Sequence, residues 1–347
     1  MILPSIKNIN VRGKKVLLRV DFNVPVKNGK VEDDFRIKKT LPTINLLKKK
    51  GAKIILISHT TKKGGTLRPV AKYLKIKFIP DLKLSNIKNG EVVLLENIRN
   101  FNGEESNDSK FAKQLAGLAD IYINDAFSES HRKYASIVSI SRYLPSYTGL
   151  LFENELKNLE SVFKPKHPFL LILGGIKFKT KLGVLNKFVA IADKIFIGGA
   201  LANDFFKIQG KEMGESTIDE SVDVRKYLDN KKIILPIDVV FKKNKILDAG
   251  SKTIKLLSGL IKQSKFVLWN GPLGDYEKGF SKATFDVAKA IAKSNVKSII
   301  GGGDTVSAIK KSGVSLKKFS FVSTAGGALL EFLAKGTLPG IKALERQ

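Results

Sequence analysis

The chain has 347 residues, of which 43% are hydrophobic and 27% are charged, and its formal net charge at pH 7 is +29. A chain of this length exceeds what one hydrophobic core usually supports, so we expect two domains. The absence of cysteine excludes disulfides, thiolate metal sites and cysteine nucleophiles, and the three histidines are too dispersed to suggest a histidine-based metal site.

The basic charge admits two interpretations, one of which is nucleic-acid binding. The lysines, however, are scattered in short groups, without a basic tail, zinc-finger spacing or an aromatic-rich strand of the RNA-binding type. We therefore expect no dedicated nucleic-acid binding and a positive field that attracts small polyanionic substrates. No apolar stretch is long enough to span a bilayer, and the first ten residues lack the apolar region of a signal peptide. We expect a cytoplasmic protein with no membrane partner.

Strands and helices alternate along the first half of the chain. Buried apolar runs predict strands at residues 15–20, 53–57, 92–95 and 121–123. Helical spacing predicts helices at residues 36–47, 68–74 and 108–118. This alternation indicates right-handed βαβ units and a parallel sheet.

A helix and a proline pair separate the two halves. Residues 150–163 have helical spacing, and the segment with Pro165 and Pro168 ends the helix. We therefore predict an N-terminal domain at residues 1–150, an interdomain helix at 151–165 and a C-terminal domain at 166–336.

The second half repeats the alternation. The predicted strands are residues 169–173, 194–197, 233–235, 266–269, 296–300 and 319–322. The clearest predicted helices are residues 285–293, 305–311 and 328–334, and a hairpin is predicted around Lys243 and Asn244. The predicted fold class is α/β, with two doubly wound parallel-sheet (Rossmann-like) domains joined by a helix and an interdomain cleft. Neither a P-loop nor a G-x-G-x-x-G motif is present.

The polar clusters that follow the strands differ between the halves. In the first half the strands end in charged or amide side chains, at Asp21-Phe22-Asn23, Ser58-His59, Glu96-Asn97-Ile98-Arg99 and Asn124-Asp125-Ala126. In the second half most end in glycine-rich turns, among them Gly174-Gly175, Gly198-Gly199, Asn270-Gly271-Pro272, Gly301 to Thr305 and Ser323 to Gly327. Ligands bind at the carboxyl ends of such strands, so we predict two different anionic ligands, one for each half.

The glycine clusters have two interpretations. Three glycines before a helix let backbone N–H groups approach an anion, and Asp304 could hold Mg²⁺ while Thr305 donates a hydroxyl. Alternatively, the cluster is a tight turn in which Asp304 caps the helix. A second cluster, at residues 324–327, favours a polyphosphate site. Lys177 and Lys181, after Gly174-Gly175, either reach phosphate oxygens or lie on a solvated helix face.

Arginines stand out in the first half because lysine is otherwise the preferred cation. Arg36, Arg99 and Arg132 fall at predicted helix starts or strand ends, where a guanidinium can hold a carboxylate or phosphate bidentately. His59 follows a strand and is either a packed residue or a ligand. Asp21 and Asn23 either hold hydroxyl groups of a small acid or make an Asx-turn.

Taken together, these motifs resemble those of the phosphoglycerate kinase family, in the same order and over essentially the whole chain. The similar segments are residues 19–25 with Arg36, residues 94–99, residues 124–127 with His131-Arg132, residues 173–177, residues 269–274, residues 301–305 and residues 323–328.

The resemblance implies a phosphotransferase that moves a phosphoryl group between 1,3-bisphosphoglycerate and ADP, giving 3-phosphoglycerate and ATP. It assigns the acid to Asp21, Asn23, Arg36, His59, Arg99 and Arg132 in the N-terminal domain. It assigns Mg-ATP or Mg-ADP to Gly174, Gly175, Lys181, Gly198, Gly199, Asn270, Pro272, Gly274, Glu277, Gly301, Gly302, Gly303, Asp304 and Thr305, with Asp304 as the metal residue. A monomer is expected, and the tail at residues 337–347 is expected to return to the N-terminal domain.

The implied mechanism is direct in-line transfer without a protein nucleophile. Arg36, Lys177 and the backbone of Gly303 and Gly326 would stabilise the transferring group once the domains close. Two alternatives are a catalytically impaired relative with a basic nucleic-acid-binding surface and an acyl-phosphate kinase for another small acid. Lys62, Thr180, Ala200 and Ala325 depart from the family pattern, and an alanine methyl could crowd a ligand unless its backbone angles are ordinary.

Overall fold

The structure is a computed structural model that describes residues 2–62, 64–84 and 86–345. The chain divides into two compact units: residues up to Lys157 with those from Thr337 onward form the first, and Asn158–Gly336 form the second. Each unit contains one six-stranded sheet in which all neighbouring strands are parallel. The predicted α/β class with two parallel sheets is confirmed.

The first unit has eight strands among its described residues, six of them in the sheet. The strands are β1 Lys15–Arg19, β2 Val26–Lys27, β3 Lys30–Val31, β4 Lys53–Ile57, β5 Lys77–Ile79, β6 Val92–Leu95, β7 Ile121–Asn124 and β8 Ser146–Thr148. The helices are α1 Phe35–Lys49, α2 Arg68–Leu74, α3 Ser109–Ala116 and α4 Leu150–Glu160, and α4 leads into the second unit. Short 3₁₀ helices lie at Ile6–Asn8, Ile98–Asn100, Phe127–Glu129 and Ser139–Arg142.

Alternate residues along the strands of the first sheet belong to two hydrophobic cores, one on each face of the sheet. On β1, Val16 and Leu18 belong to the core that also contains Ile37 and Leu47 of α1. The intervening Leu17 belongs to the core that contains Phe111, Ala112 and Leu115 of α3. Each fully buried aliphatic side chain contributes about 1.5–3 kcal/mol to folding. This two-faced burial explains why the strands are continuous apolar runs.

The strand order of the first sheet is β5-β6-β4-β1-β7-β8. The chain builds outward from β1 through β4 in one direction and then returns to place β7 on the other side of β1. The strand order therefore reverses beside β1, and crevices at such a reversal are the usual ligand sites of open parallel sheets.

The second unit repeats this arrangement. Its strands are β9 Phe169–Leu173, β10 Lys194–Ile197, β11 Ile233–Ile234, β12 Val239–Lys242, β13 Lys245–Ala249, β14 Phe266–Asn270, β15 Lys297–Gly301 and β16 Phe321–Val322. Its helices are α5 Lys179–Phe188, α6 Leu201–Ile208, α7 Ser251–Gln263, α8 Lys282–Lys293, α9 Gly303–Lys311 and α10 Gly327–Lys335, and its 3₁₀ helices are Ser161–Phe163, Arg225–Tyr227, Tyr276–Lys278 and Leu316–Lys318. The sheet order is β11-β10-β9-β14-β15-β16, so the order reverses between β9 and β14.

The last described helix, α11 Pro339–Glu345, packs against β8 and the 3₁₀ helix Ser139–Arg142 of the first unit. Gly340 N donates a hydrogen bond to the carbonyl of Ser130 at 2.8 Å. A side chain at Gly340 would collide with Ser130, which explains the glycine. The end of the predicted tail, Arg346 and Gln347, lies outside the described residues.

Most predicted elements agree with the structure to within a few residues. The predicted hairpin is confirmed as β12 and β13, with positive φ at Lys243 and Asn244. The strand predicted at 319–322 is shorter, because Leu316–Lys318 forms a 3₁₀ turn before it. The helices α5, α6, α7 and α11 and the strands β2, β3, β5 and β8 were not individually predicted. Strands of two or three residues are too short for a periodic signal. In the described part of the chain, no helix combines the length and apolar character needed to cross a bilayer.

Candidate functional site

Polar side chains converge at the carboxyl edge of the first sheet. Asp21 follows β1, His59 follows β4, Arg99 lies in the 3₁₀ helix after β6, and Arg36 lies in the first turn of α1. Because β4, β1 and β7 are neighbours, the segments that follow them meet at the reversal of strand order.

Asp21 and Arg36 form a partly buried ion pair. Arg36 Nη1 donates to Asp21 Oδ2 at 2.8 Å, and Ser128 Oγ donates to the same oxygen at 2.5 Å. The backbone N–H of Asn23 donates to Asp21 Oδ1 at 3.0 Å. Burial works to raise the pKa of Asp21, but the charges of Arg36 and His59 outweigh it and hold the pKa below its ordinary value. The ionised Asp21 therefore orients the guanidinium of Arg36.

Glu129 connects the segments that follow β4 and β6, because it contacts His59 in the first and Arg99 in the second. Arg99 Nη2 lies 2.6 Å from Glu129 Oε2, and His59 Nε2 lies 3.3 Å from Glu129 Oε1. Buried Arg19 supports the group from β1, with its Nη2 3.4 Å from His59 Nδ1 and its Nε donating to Ser136 Oγ at 3.0 Å. Glu129 was missed in the sequence because its neighbours lie 30 and 70 positions away along the chain.

The remaining predicted acid-binding residues lie around this edge. Asn23 Oδ1 accepts the backbone N–H of Thr61 at 3.2 Å, which ties the turn after β1 to the loop after His59. Arg132 is exposed, and its backbone N–H donates to the carbonyl of Glu129 at 2.9 Å. The predicted residues of the first half are thus distributed around one sheet edge, with Arg132 the most exposed.

Asp125, in the turn after β7, is buried and gives the first testable prediction. Burial raises the pKa of its carboxyl to about 7, although Thr43 and the backbone N–H of Phe152 donate to it. Because the folded protein holds this proton more tightly than the unfolded chain, the stabilising contribution is complete below pH 4 and is lost as pH rises to about 7. We expect the free energy of unfolding to fall by roughly 4 kcal/mol at most across this window.

The check is denaturant unfolding of the wild type and of Asp125→Asn at pH 4.5 and 7.5. The amide needs no proton to remain neutral, so the variant should lack this part of the pH dependence. The exposed Asp81 provides the control, since Asp81→Asn should keep the wild-type slope. An unchanged slope in Asp125→Asn would contradict the assignment.

The second unit contains a cavity of about 540 Å³ at the carboxyl edge of its sheet. The predicted nucleotide residues that line it are Gly175, Lys181, Gly199, Asn270, Pro272, Gly274, Glu277, Gly302, Gly303, Asp304 and Thr305. Lys177 and Gly326, predicted to act on the transferring group, also line it. The cavity belongs to the second unit alone, and its volume suits a nucleotide-sized ligand.

Two glycine turns meet where the strand order reverses. Gly174 N donates to the carbonyl of Asn270 at 2.8 Å, and Gly175 N donates to the carbonyl of Pro272 at 2.7 Å. Gly271 has a φ of +97°, and a Cβ there would lie 2.1 Å from the carbonyl oxygen of Gly174. The Thr305 hydroxyl accepts the N–H of Gly271 at 2.7 Å and braces this turn from α9. Only glycine fits at position 271.

The amino ends of α9 and α10 form the polar end of the cavity. Gly302 has a φ of +95° and precedes α9, which begins at Gly303, while Gly326 precedes α10. A Cβ at Gly303 or Gly326 would meet nothing within 4 Å, so these backbones face open space. The N–H groups of a helix amino end carry a partial positive charge that binds anions.

Lys181 and Asp304 add opposite charges to this end. Burial lowers the pKa of Lys181, while the nearby Asp304 carboxylate works in the other direction. Asp304 is exposed in the first turn of α9. In the described residues, no group of three or more His, Asp or Glu side chains is arranged to hold a metal ion. A single carboxylate beside open space fits Mg²⁺ that is carried mainly by phosphate oxygens.

Three predicted nucleotide residues, Gly174, Gly198 and Gly301, do not line the cavity. Close packing explains why each of these positions is a glycine. A Cβ at Gly174 would lie 2.3 Å from the carbonyl oxygen of Pro272, and one at Gly301 would lie 2.4 Å from Leu329 Cδ1. A Cβ at Gly198 would lie 2.7 Å from the ring of Phe196.

The departures from the family pattern fit the local backbone. Ala200 has a φ of −64°, and Ala325 has no positive φ, so neither position requires glycine. Thr180 Oγ1 donates to the carbonyl of Lys177 at 2.8 Å and helps to begin α5. Lys62 is exposed in the loop after His59.

Several cavity residues were not predicted from the sequence, notably Asp248, Asn203 and Tyr276. Asp248 accepts the backbone N–H groups of Ala249 at 2.9 Å and Ala283 at 3.2 Å. A Cβ at Gly274 would lie 2.3 Å from Asp248 Oδ1, so this carboxylate explains the glycine. No signal in the sequence pairs positions 248 and 274, since they meet only after β13 folds back.

Comparison with known proteins shows which protein family this chain resembles. The model of the phosphoglycerate kinase family matches residues 6–336. The phosphoglycerate kinase of Wolbachia sp. subsp. Drosophila simulans is 41% identical over 397 aligned positions that cover 100% of both chains. That of Finegoldia magna is 40% identical and covers 99% of both. Because this chain has only 347 residues, these relatives contain segments that it lacks.

Solved structures agree with the sequence comparison. Phosphoglycerate kinase from Coxiella burnetii has a TM-score of 0.85 and 34% sequence identity, with 99% of each chain covered. The enzyme from Pyrococcus horikoshii has a TM-score of 0.88 and 29% identity, with 99% of this chain and 98% of the other covered.

Proposed function

The chain belongs to the phosphoglycerate kinase family, and we propose that its two anion-binding edges hold the two substrates of that reaction. As a phosphotransferase with a carboxyl group as acceptor, it transfers a phosphoryl group reversibly between 1,3-bisphosphoglycerate and ADP. The edge of the first sheet holds the phosphorylated acid through Asp21, Asn23, Arg36, His59, Arg99 and Arg132.

The observation that carries the proposal is the lining of the cavity in the second unit. Glycine turns after three strands, the amino ends of α9 and α10 and the buried Lys181 all contribute to it. Backbone donors at two helix ends suit a chain of phosphates. The apolar lining, which includes Phe206, Leu273 and Leu330, suits a nucleobase.

Mg²⁺ enters with the nucleotide and is part of the substrate. When bound, it neutralises phosphate charge and fixes the phosphate geometry. Asp304 is the carboxylate of this chain assigned to it. Lys177 and the N–H groups at Gly303 and Gly326 donate to the phosphate oxygens, and the guanidinium of Arg36 stabilises the transferring group. Positioning and charge stabilisation supply the catalysis, because direct transfer needs no protein nucleophile.

Replacing Asp304 tests its role toward the metal, because Gly302 and not Asp304 is the N-cap residue of α9. We expect Asp304→Ala to raise the KM for Mg-nucleotide by about tenfold, because the metal loses its protein carboxylate. The KM for 3-phosphoglycerate should stay within about twofold, since that ligand binds to the other unit. Initial rates over a matrix of Mg²⁺ and ATP concentrations provide the measurement. Asp286→Asn on α8, whose carboxylate is partly exposed and pairs with Lys282, is the matched control. Unchanged nucleotide dependence would contradict the metal role assigned to Asp304.

Substrate specificity tests the proposal against its alternatives. The protein should consume ATP with 3-phosphoglycerate and not with acetate or carbamate, as measured in a coupled assay. Turnover with acetate or carbamate would favour an acyl-phosphate kinase for another acid, and no turnover together with tight nucleic-acid binding would favour the impaired relative. The proposal also includes a monomer that works in the cytoplasm; light scattering measures the first property.

A further inference from the structure

Glu129 places a negative charge inside the site proposed for a negatively charged acid. Glu129 ends the 3₁₀ helix that follows β7, and only 12% of its side chain is exposed. Its two carboxylate oxygens face different side chains: Oε2 lies 2.6 Å from Arg99 Nη2 and Oε1 lies 3.3 Å from His59 Nε2. Burial lowers the pKa of His59, so Arg99 is the cation of the two at neutral pH. Both side chains are among the groups assigned to the acid.

The carboxylate of Glu129 is ionised at neutral pH. Burial works to raise its pKa, but the close contact with His59 and the guanidiniums of Arg19 and Arg99 hold the pKa at about 2. Asp21, Glu104 and Glu105 are further carboxylates near this group. Glu129 is therefore ionised at neutral pH, and its carboxylate lies against two of the side chains assigned to the acid, Arg99 and His59.

The donors beside Glu129 are only partly used. Arg99 Nε is buried and has no hydrogen-bond partner, and the same is true of His59 Nε2 despite its closeness to Glu129. A guanidinium and an imidazole N–H both donate hydrogen bonds to phosphate and carboxylate, so each of these groups has donor capacity that Glu129 leaves unused. The site thus has unfilled donors and a resident anion at the same place.

We infer that Glu129 is a resident counter-anion of the acid site, which holds Arg99 and His59 in position and competes with 3-phosphoglycerate for them. This inference rests on the assignment of that site under the proposed function. Glu129 is a positioning residue that sets affinity, and it takes no part in the transfer itself. Its negative charge favours release of the acid as well as opposing its binding.

Glu129→Gln removes the charge and keeps the shape. The amide oxygen can still accept from Arg99, so the arginine keeps an anchor. Like charges in a partly buried site repel strongly, and we expect the KM and the Kd for 3-phosphoglycerate to fall about tenfold at low ionic strength. The KM for Mg-ATP should be unchanged, which a general structural defect would not produce.

Glu105→Gln is the matched control. Glu105 Oε1 also faces Arg99, at 3.6 Å from Nε, but 59% of its side chain is exposed. Solvent screens that charge, so the KM for 3-phosphoglycerate should change less than about twofold. Glu129→Asp, which keeps the charge, should remain closer to the wild type than Glu129→Gln.

Calorimetric titration with 3-phosphoglycerate, initial-rate kinetics and a thermal melt of each variant make the test. A folded Glu129→Gln protein that binds 3-phosphoglycerate no more tightly than the wild type would overturn the inference and leave the proposed function intact. A wild type that does not bind 3-phosphoglycerate would overturn the proposed function and this inference together.

Discussion

Replacement of Arg36 by alanine is expected to lower kcat by about 10³-fold, while the Kd for Mg-ADP stays within about twofold of the wild type. The guanidinium of Arg36 is held by Asp21 at 2.8 Å and by the carbonyl of Asn23 at 3.3 Å. An arginine fixed in this way stabilises charge that develops on the transferring phosphoryl group without reorganising. The proposed nucleotide site is the cavity of the second unit, to which Arg36 does not contribute.

The measurement is a comparison of steady-state turnover with calorimetric titration of Mg-ADP. Removing Arg36 also leaves Asp21 without its cation, so a thermal melt is needed to show that the variant is folded. Arg36→Lys serves as the intermediate case: it keeps the charge but loses the planar fork, and its turnover should fall between those of the wild type and the alanine variant. A normal kcat in Arg36→Ala would refute the role assigned to Arg36.

Gly271→Ala is expected to destabilise the second unit by about 3 kcal/mol or more and to abolish measurable nucleotide binding. The added Cβ would lie 2.1 Å from the carbonyl oxygen of Gly174 and would require a φ of +97°. The obstruction is backbone in a turn that is itself hydrogen-bonded to β14, so it cannot move aside cheaply. The turn that lines the cavity would be displaced with it.

Gly279→Ala separates backbone strain from collision. Gly279 has a φ of +89°, but a Cβ there would meet nothing within 4 Å. Its substitution should cost about 1 kcal/mol, the usual penalty for a side chain at positive φ. Denaturant unfolding and titration of Mg-ADP should therefore rank the two variants clearly. Equal stability of Gly271→Ala and Gly279→Ala would mean that the turn at Gly174 does not constrain position 271.

Local patterns predicted the elements and the general chemistry of the strand ends. The apolar runs that became β1, β4, β9 and β14 were recognisable because they are buried on both faces and end in turn residues. The glycine-rich turns of the second half were recognisable because glycine clusters directly follow the apolar runs.

Sequence alone did not separate the reasons for each glycine. Gly303 and Gly326 face open space in the cavity, whereas Gly174, Gly198 and Gly301 are small because neighbouring atoms leave no room for a Cβ. The same residue type after a strand therefore has two physical causes, and only the packing distinguishes them.

Contacts between charged residues that lie far apart in the sequence could not be predicted either. Glu129, Arg99 and His59 follow three different strands, and their closeness depends on the sheet order β6-β4-β1-β7. Asp248 likewise acquires its partners Ala283 and Gly274 only through folding. Such groups have no local period, so neither hydrophobic patterning nor motif spacing identifies them.

We propose direct phosphoryl transfer between an acid held by the first unit and a nucleotide held by the second. Incubation with γ-labelled Mg-ATP tests it most directly, with the label followed on the protein and on the small molecules. We expect label to move to 3-phosphoglycerate when that acid is present and never to accumulate on the protein. A labelled protein that passes its phosphoryl group to 3-phosphoglycerate, or no transfer to 3-phosphoglycerate at all, would contradict it.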